Sequence, residues 1–278
     1  MAGERSTAFS ESAVAVLDGT STMREGVRSL TPAARGHRRP GRSTVAQSAA
    51  VEHRALDGVA YHLAGPLDLT EPATSVVEVA VDGRLHEFTA GPPGLADAVA
   101  DSLGISEFDS ELSFRGGTLR TATTSEYDGQ AQQVENPTLV VWQGRRFSLV
   151  TRIYRARLAD VLALLRPLGI AEHQDGIVLA PDTAVGARWA RPATVIKEVP
   201  GLGLIEMSRR TREHTAQLPP WEGASVRSGE LFRDSLSDGN PFFVLSGPEL
   251  WATIVPLAGT TAERVPALVG GLEVRTAG

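Results

Sequence analysis

Val76-Val77-Glu78-Val79-Ala80-Val81-Asp82-Gly83-Arg84-Leu85-His86-Glu87-Phe88 reads as a strand, a tight turn and a returning strand. An Asp-Gly pair suits the two left-handed positions of a two-residue hairpin turn, and the β-branched run before it favours extended backbone. Gly91-Pro92-Pro93 then breaks the ladder, because proline has no N–H to donate. Leu95, Val99 and Leu103 follow at helical spacing, and Gly104 stands where a helix would cap. The unit is strand, turn, strand, helix.

The same order returns twice. Thr138-Leu139-Val140-Val141-Trp142, a Gln143-Gly144 turn and a strand from Arg146 to Ile153 lead into a helix expected over Ala159 to Leu168. Both of these helices start near an Ala-Asp pair, Ala96-Asp97 and Ala159-Asp160, and both end on Leu-Gly-Ile, at Leu103-Gly104-Ile105 and Leu168-Gly169-Ile170. A third set runs from Pro241-Phe242-Phe243-Val244-Leu245 through Leu250 to Val255 into a helix expected from Thr261 to Gly271. Between the second and third sets, Gly176 to Ala180, Thr194 to Val199 and Gly203 to Met207 read as further strands, and Ser208 to Gln217 as a polar helix stopped by Pro219-Pro220. The expected fold is α+β: antiparallel or mixed sheets built from repeated strand–turn–strand–helix units, with helices packed on one sheet face.

Three regions are expected. Residues 1–43 form an arginine-rich, largely flexible segment without apolar periodicity; residues 44–175 hold two hairpin–helix copies; residues 176–278 hold the third. At the start of the second region, Thr44 to Leu56 has helix-permissive composition, and Val59 to Leu63 reads as a strand. Residues 1–50 carry seven arginines against four acids, about +3, which leaves about −9 on the rest of a chain of net charge −6.

With 42% hydrophobic and 22% charged residues, a chain of this length can bury enough apolar surface to fold. No apolar run is long enough for a membrane span, and Met1 to Glu11 lack the apolar stretch of a signal peptide, so the cytoplasm is expected. The absence of cysteine removes disulfides, thiolate nucleophiles and cysteine-ligated zinc. Of the 27 basic residues all but Lys197 are arginine, a bias that fits a GC-rich bacterium and leaves little scope for Schiff-base chemistry.

Catalytic signatures are missing. The histidines His37, His53, His62, His86, His173 and His214 are scattered singly; His62 and His86 read as two partly exposed strand histidines, with a meeting across neighbouring strands as the functional alternative. There is no Gly-x-Ser-x-Gly pentapeptide, phosphate-binding loop or dinucleotide fingerprint. Arg115-Gly116-Gly117 reads as a turn, with an anion nest as the functional alternative. No catalytic residue, metal ligand or cofactor is expected.

Binding groups are easier to name. Arg35, Arg38, Arg39 and Arg42 form a basic arm, too slight for a nucleic-acid footprint and better suited to a protein partner. Arg146 and Arg152 would share one strand face with Ser148 and Val150, an acidic-partner surface or simply a solvated face. Trp142 and Trp251 lie in strand-like sequence and read as core, whereas Trp189 and Trp221 lie in loop-like sequence and read as exposed anchors.

The segment from Ser225 to Leu272 resembles the end of the EspG-type chaperones of actinobacterial type VII secretion. The likeness is carried by a meander of strands, the stretch Trp251-Ala252-Thr253-Ile254-Val255-Pro256 and a closing amphipathic helix, and it spans less than a fifth of the chain. It implies a secretion chaperone and assigns a role to no residue. The residues themselves point first to a non-catalytic protein-binding or scaffold protein, with an enzyme whose pocket lies between repeated units as the alternative.

Overall fold

The structure, a computed structural model, describes residues 49–128, 132–257 and 259–277. Its first strands are β1 (Ala49–Arg54), β2 (Ala60–Gly65), β3 (Ala73–Val81) and β4 (Arg84–Gly91), followed by helix α1 (Leu95–Ser102). Then come β5 (Ser110–Phe114), β6 (Gly117–Thr123), β7 (Glu126–Asp128), β8 (Gln133–Glu135), β9 (Pro137–Gln143), β10 (Ser148–Tyr154) and α2 (Leu158–Leu165). Strands β11 (Leu168–Glu172), β12 (Ile177–Pro181), β13 (Arg188–Trp189), β14 (Thr194–Val199) and β15 (Gly203–Arg209) precede α3 (Arg212–Gln217). The chain closes with β16 (Ala224–Val226), β17 (Gly229–Ser235), β18 (Pro241–Ser246), β19 (Leu250–Val255), α4 (Val265–Gly270) and β20 (Glu273–Ala277). The protein is α+β, mostly antiparallel sheet.

Contacts divide the chain into two compact units. One comprises Glu52–Tyr61 and Pro72–Lys197; the other comprises the described part of Met1–Val51 with His62–Glu71 and Glu198–Thr276.

In the unit containing Pro72–Lys197, antiparallel neighbours follow the order β14-β3-β4-β10-β9-β6-β5, with β13 pairing the far end of β3 at Trp189 opposite Val79. Asp82 and Gly83 close the β3–β4 hairpin with φ of 50° and 75°. Both central residues are left-handed, as a type I′ turn demands. Arg115 (φ 48°) and Gly116 (φ 78°) repeat that geometry between β5 and β6, so Arg115-Gly116-Gly117 is a hairpin turn. Strand β3 alternates, with Ser75, Val77 and Val79 buried, whereas β9 is buried from Pro137 through Trp142. That continuous apolar run marks a strand covered on both faces. Helix α1 lies against β9 and β10 and buries Leu95, Ala96, Val99 and Ala100. Lys197, on β14 opposite Ala73, is 1% exposed.

The other unit carries the antiparallel order β16-β17-β18-β19-β15, and β20 lies beside β2. Phe232, Phe242, Val244 and Trp251 form its aromatic core, with Leu218, Leu236 and Val255 packed against it. His214, whose Nδ1 accepts the Thr211 N–H, stacks on Trp251 with ring centres 4.7 Å apart.

Several expectations are corrected. Ala49–Arg54 is a strand, so the helix-permissive stretch ending at Leu56 is not helical over its described part. Helix α2 ends at Leu165 because Pro167 cannot continue it, and Leu168 opens β11. Gly104 is left-handed (φ 69°) past the end of α1, whereas Gly169 lies within β11; the shared Leu-Gly-Ile endings are two different structures. The third helix opens as a 3-10 turn, Ala262–Arg264, and continues as α4, Val265–Gly270, close to the expected span. The hairpin β5–β6 and strands β16 and β17 lie outside every strand expected from sequence. The N-terminal segment 1–43 lies outside the described residues.

Candidate functional site

Loop Arg54–Ala60 is anchored within its own unit. Ala55 and Leu56 are fully buried; the Leu56 N–H donates to Ser75 Oγ (3.0 Å), and the Leu56 carbonyl accepts from the Leu179 N–H (2.8 Å). Asp57 Oδ2 accepts the Ala193 N–H (3.0 Å). These bonds satisfy buried backbone groups, which is why a loop can run inward at all.

The tie continues at Arg54. Its backbone N–H donates to the Asp175 carbonyl (2.8 Å), its Nε to Asp175 Oδ1 (3.0 Å), and another guanidinium nitrogen sits 3.0 Å from Asp175 Oδ2. The remaining nitrogen donates to the Gly58 carbonyl (3.2 Å). A side chain on Gly176 would strike the Arg54 carbonyl, so glycine there permits the close approach.

Beside this clamp lies a cavity of about 210 Å³. Ala73, Ala90, Pro92, Phe147, Ile177 and Val195 supply apolar wall, and Glu52, His53, Thr74, Ser75 and Gln174 supply polar groups around it. An outer recess adds His173 to Glu52, Arg54, Gln174 and Asp175. His53 Nε2 is buried without a hydrogen-bond partner among the described residues. Burial, reinforced by the Lys197 charge and opposed by Asp175, lowers the His53 pKa from 6.5 to about 4. The imidazole is therefore neutral near pH 7.

Phe147, on the cavity wall, is held by a second device. The Glu172 carboxylate accepts the N–H groups of Arg145 (3.0 Å), Arg146 (2.8 Å) and Phe147 (3.0 Å). Burial alone would raise its pKa, but those three N–H groups and the Arg146 charge outweigh it and the pKa is lowered.

The residues expected to bind a partner fall in different places. Arg146 is exposed, but it sits in the β9–β10 turn rather than on β10. Arg152 is half-buried on β10 opposite Leu139 and is engaged within the fold. Ser148 and Val150, expected on the same open face, are fully buried. Trp189 is half-buried on β13, and Trp221 is 64% exposed between α3 and β16. Trp142 and Trp251 are buried, and Trp142 Nε1 donates to the Phe114 carbonyl (2.8 Å). Arg35, Arg38, Arg39 and Arg42 lie outside the described residues. His62 and His86 sit on β2 and β4, which are not neighbours in any sheet.

Sequence reasoning missed the cavity entirely. Arg54 and Asp175 are 121 positions apart, and no local pattern relates them. Among the described residues no three His, Asp or Glu side chains group as metal ligands, and no helix is long and apolar enough to cross a membrane. The chain matches no protein-family model and no curated protein, and its fold matches no solved structure.

Proposed function

We propose that the protein is a non-catalytic protein-binding or scaffold protein, acting in the cytoplasm, whose contact surface includes Trp221. The observation that carries this reading is the 64% exposure of Trp221 directly after Pro219-Pro220. Two prolines restrict the backbone that presents the indole, so less conformational freedom is lost when a partner covers it. Tryptophan buries a large amphipathic surface and dominates many interfaces. The arginine-rich arm and Arg146 supply charge for an acidic partner. We read the scaffold as copies of one hairpin–helix unit, supported by the order β3-β4-α1, β9-β10-α2 and β18-β19-α4, with Gly104 and Gly169 marking where the first two diverge.

The test is recovery of partners from native cells by the full chain and by Trp221→Ala. The variant is expected to lose a partner that the parent retains while keeping the parent's melting temperature. Equal recovery of the same partners by both overturns the reading.

A second reading, a secretion chaperone similar to the EspG family, is favoured by the meander β17-β18-β19 followed by α4. It requires that the retained partner be a small secreted helical pair. Recovery of such a pair separates the two readings.

A further inference from the structure

We propose that the cavity beside the Arg54–Asp175 clamp binds a small primary amine with a short branched apolar tail, its ammonium group at Glu52. The site does not involve Trp221, so this inference stands or falls independently of the protein-binding reading.

The cavity's volume of about 210 Å³ corresponds to roughly seven water-sized groups at about 30 Å³ each. That suits a molecule of six or seven heavy atoms, smaller than most cofactors. Its apolar wall, from Ala73, Ala90, Phe147, Ile177 and Val195, holds water poorly and favours an aliphatic tail.

The head group is chosen by charge. Arg54 directs its guanidinium at Asp175 and the Gly58 carbonyl, so the charges of that pair already offset each other. His53 is neutral. Glu52 is exposed, lines both the cavity and its outer recess, and forms no ion pair among the described residues. An ammonium group there gains an opposite charge at the rim, and Gln174, also on both linings, carries an amide oxygen of the right type to accept a second N–H. A carboxylate of the same skeleton would instead face Glu52 with like charge.

The walls are built to persist without a ligand. The Arg54–Asp175 clamp fixes one side, Glu172 fixes the turn that carries Phe147, and a side chain on Gly91 would collide with Leu95 and Thr74. A preformed apolar pocket of this kind costs little to organise on binding.

The experiment compares isopentylammonium, isopentanol and 3-methylbutanoate, one branched skeleton with three heads, by ligand-observed NMR on the full chain. Isopentylammonium is expected to bind about fivefold tighter than the alcohol, as a partly exposed ion pair allows, and the carboxylate weaker than both. Glu52→Gln, at an exposed position, should bring the amine to the alcohol's affinity without changing the alcohol. Ala73→Leu should weaken amine and alcohol together, and Phe147 ring protons should show transfer to the bound tail. The proposal is overturned if the carboxylate binds as well as the amine, if none of the three binds, or if amine binding survives Ala73→Leu without contact to Phe147.

Discussion

Arg54 and Asp175 meet through two guanidinium contacts of 3.0 Å and a backbone hydrogen bond of 2.8 Å, across 121 positions of sequence. Their side chains are 29% and 14% exposed, so the pair is partly desolvated and its geometry is two-pronged. Removing either partner leaves the other's charge unmatched in the wall of the cavity. Asp175→Ala is expected to destabilise by about 2–3 kcal/mol. Chemical denaturation of the single and double alanine variants should give a coupling of at least about 1 kcal/mol.

His53 makes the fold sensitive to mild acid. The unfolded chain takes up the imidazole proton near pH 6.5 and the folded chain only near pH 4. Between those values acid favours the unfolded state, so stability is complete above about pH 6.5 and falls as the pH drops toward 4, by at most about 3 kcal/mol. His86 and His214, whose pKa values are lowered mainly by burial, add a smaller loss in the same direction. His53→Leu should flatten most of this limb in denaturation curves measured between pH 7 and pH 4.

Glu172 supports a turn rather than a surface charge. Its carboxylate receives three backbone N–H groups, and Glu172→Ala leaves them without a partner at an expected cost of about 2 kcal/mol. A Cβ on Gly144 would collide with the carboxylate, so Gly144→Ala should lower the melting temperature in the same way. With its pKa lowered, Glu172 begins to lose this contribution near the ordinary carboxylate value and loses it fully only below that, mostly beneath the His53 window.

Two tryptophans should behave oppositely. Trp142→Phe removes the donor to the Phe114 carbonyl from a buried site and is expected to cost about 1–3 kcal/mol. Trp221→Ala touches an exposed side chain and should leave the melting midpoint within about 0.5 kcal/mol of the parent. Thermal unfolding of both variants checks the contrast.

The hairpins were legible wherever the turn carried its own chemistry. Asp82-Gly83 announces two left-handed residues, and the apolar runs beside it announce strands. Arg115-Gly116 adopts the same turn, but arginine is an uncommon left-handed residue and the short strand Ser110–Phe114 shows no continuous apolar run. Leu-Gly-Ile misled because a glycine after a leucine can cap a helix or sit inside a strand, and Pro167 decided against the helix. Trp221 could be read as exposed from its loop-like sequence. His53 could not be distinguished from five other single histidines, because its character comes from burial, reinforced by Lys197, and only the fold supplies either.

Lys197 is the single lysine of the sequence and is 1% exposed on β14. The native surface therefore offers no lysine amine to acetyl transfer, to isopeptide tagging or to chemical acylation. Each of those reactions must wait until Lys197 is uncovered, so lysine acylation becomes a clock for local opening around β14.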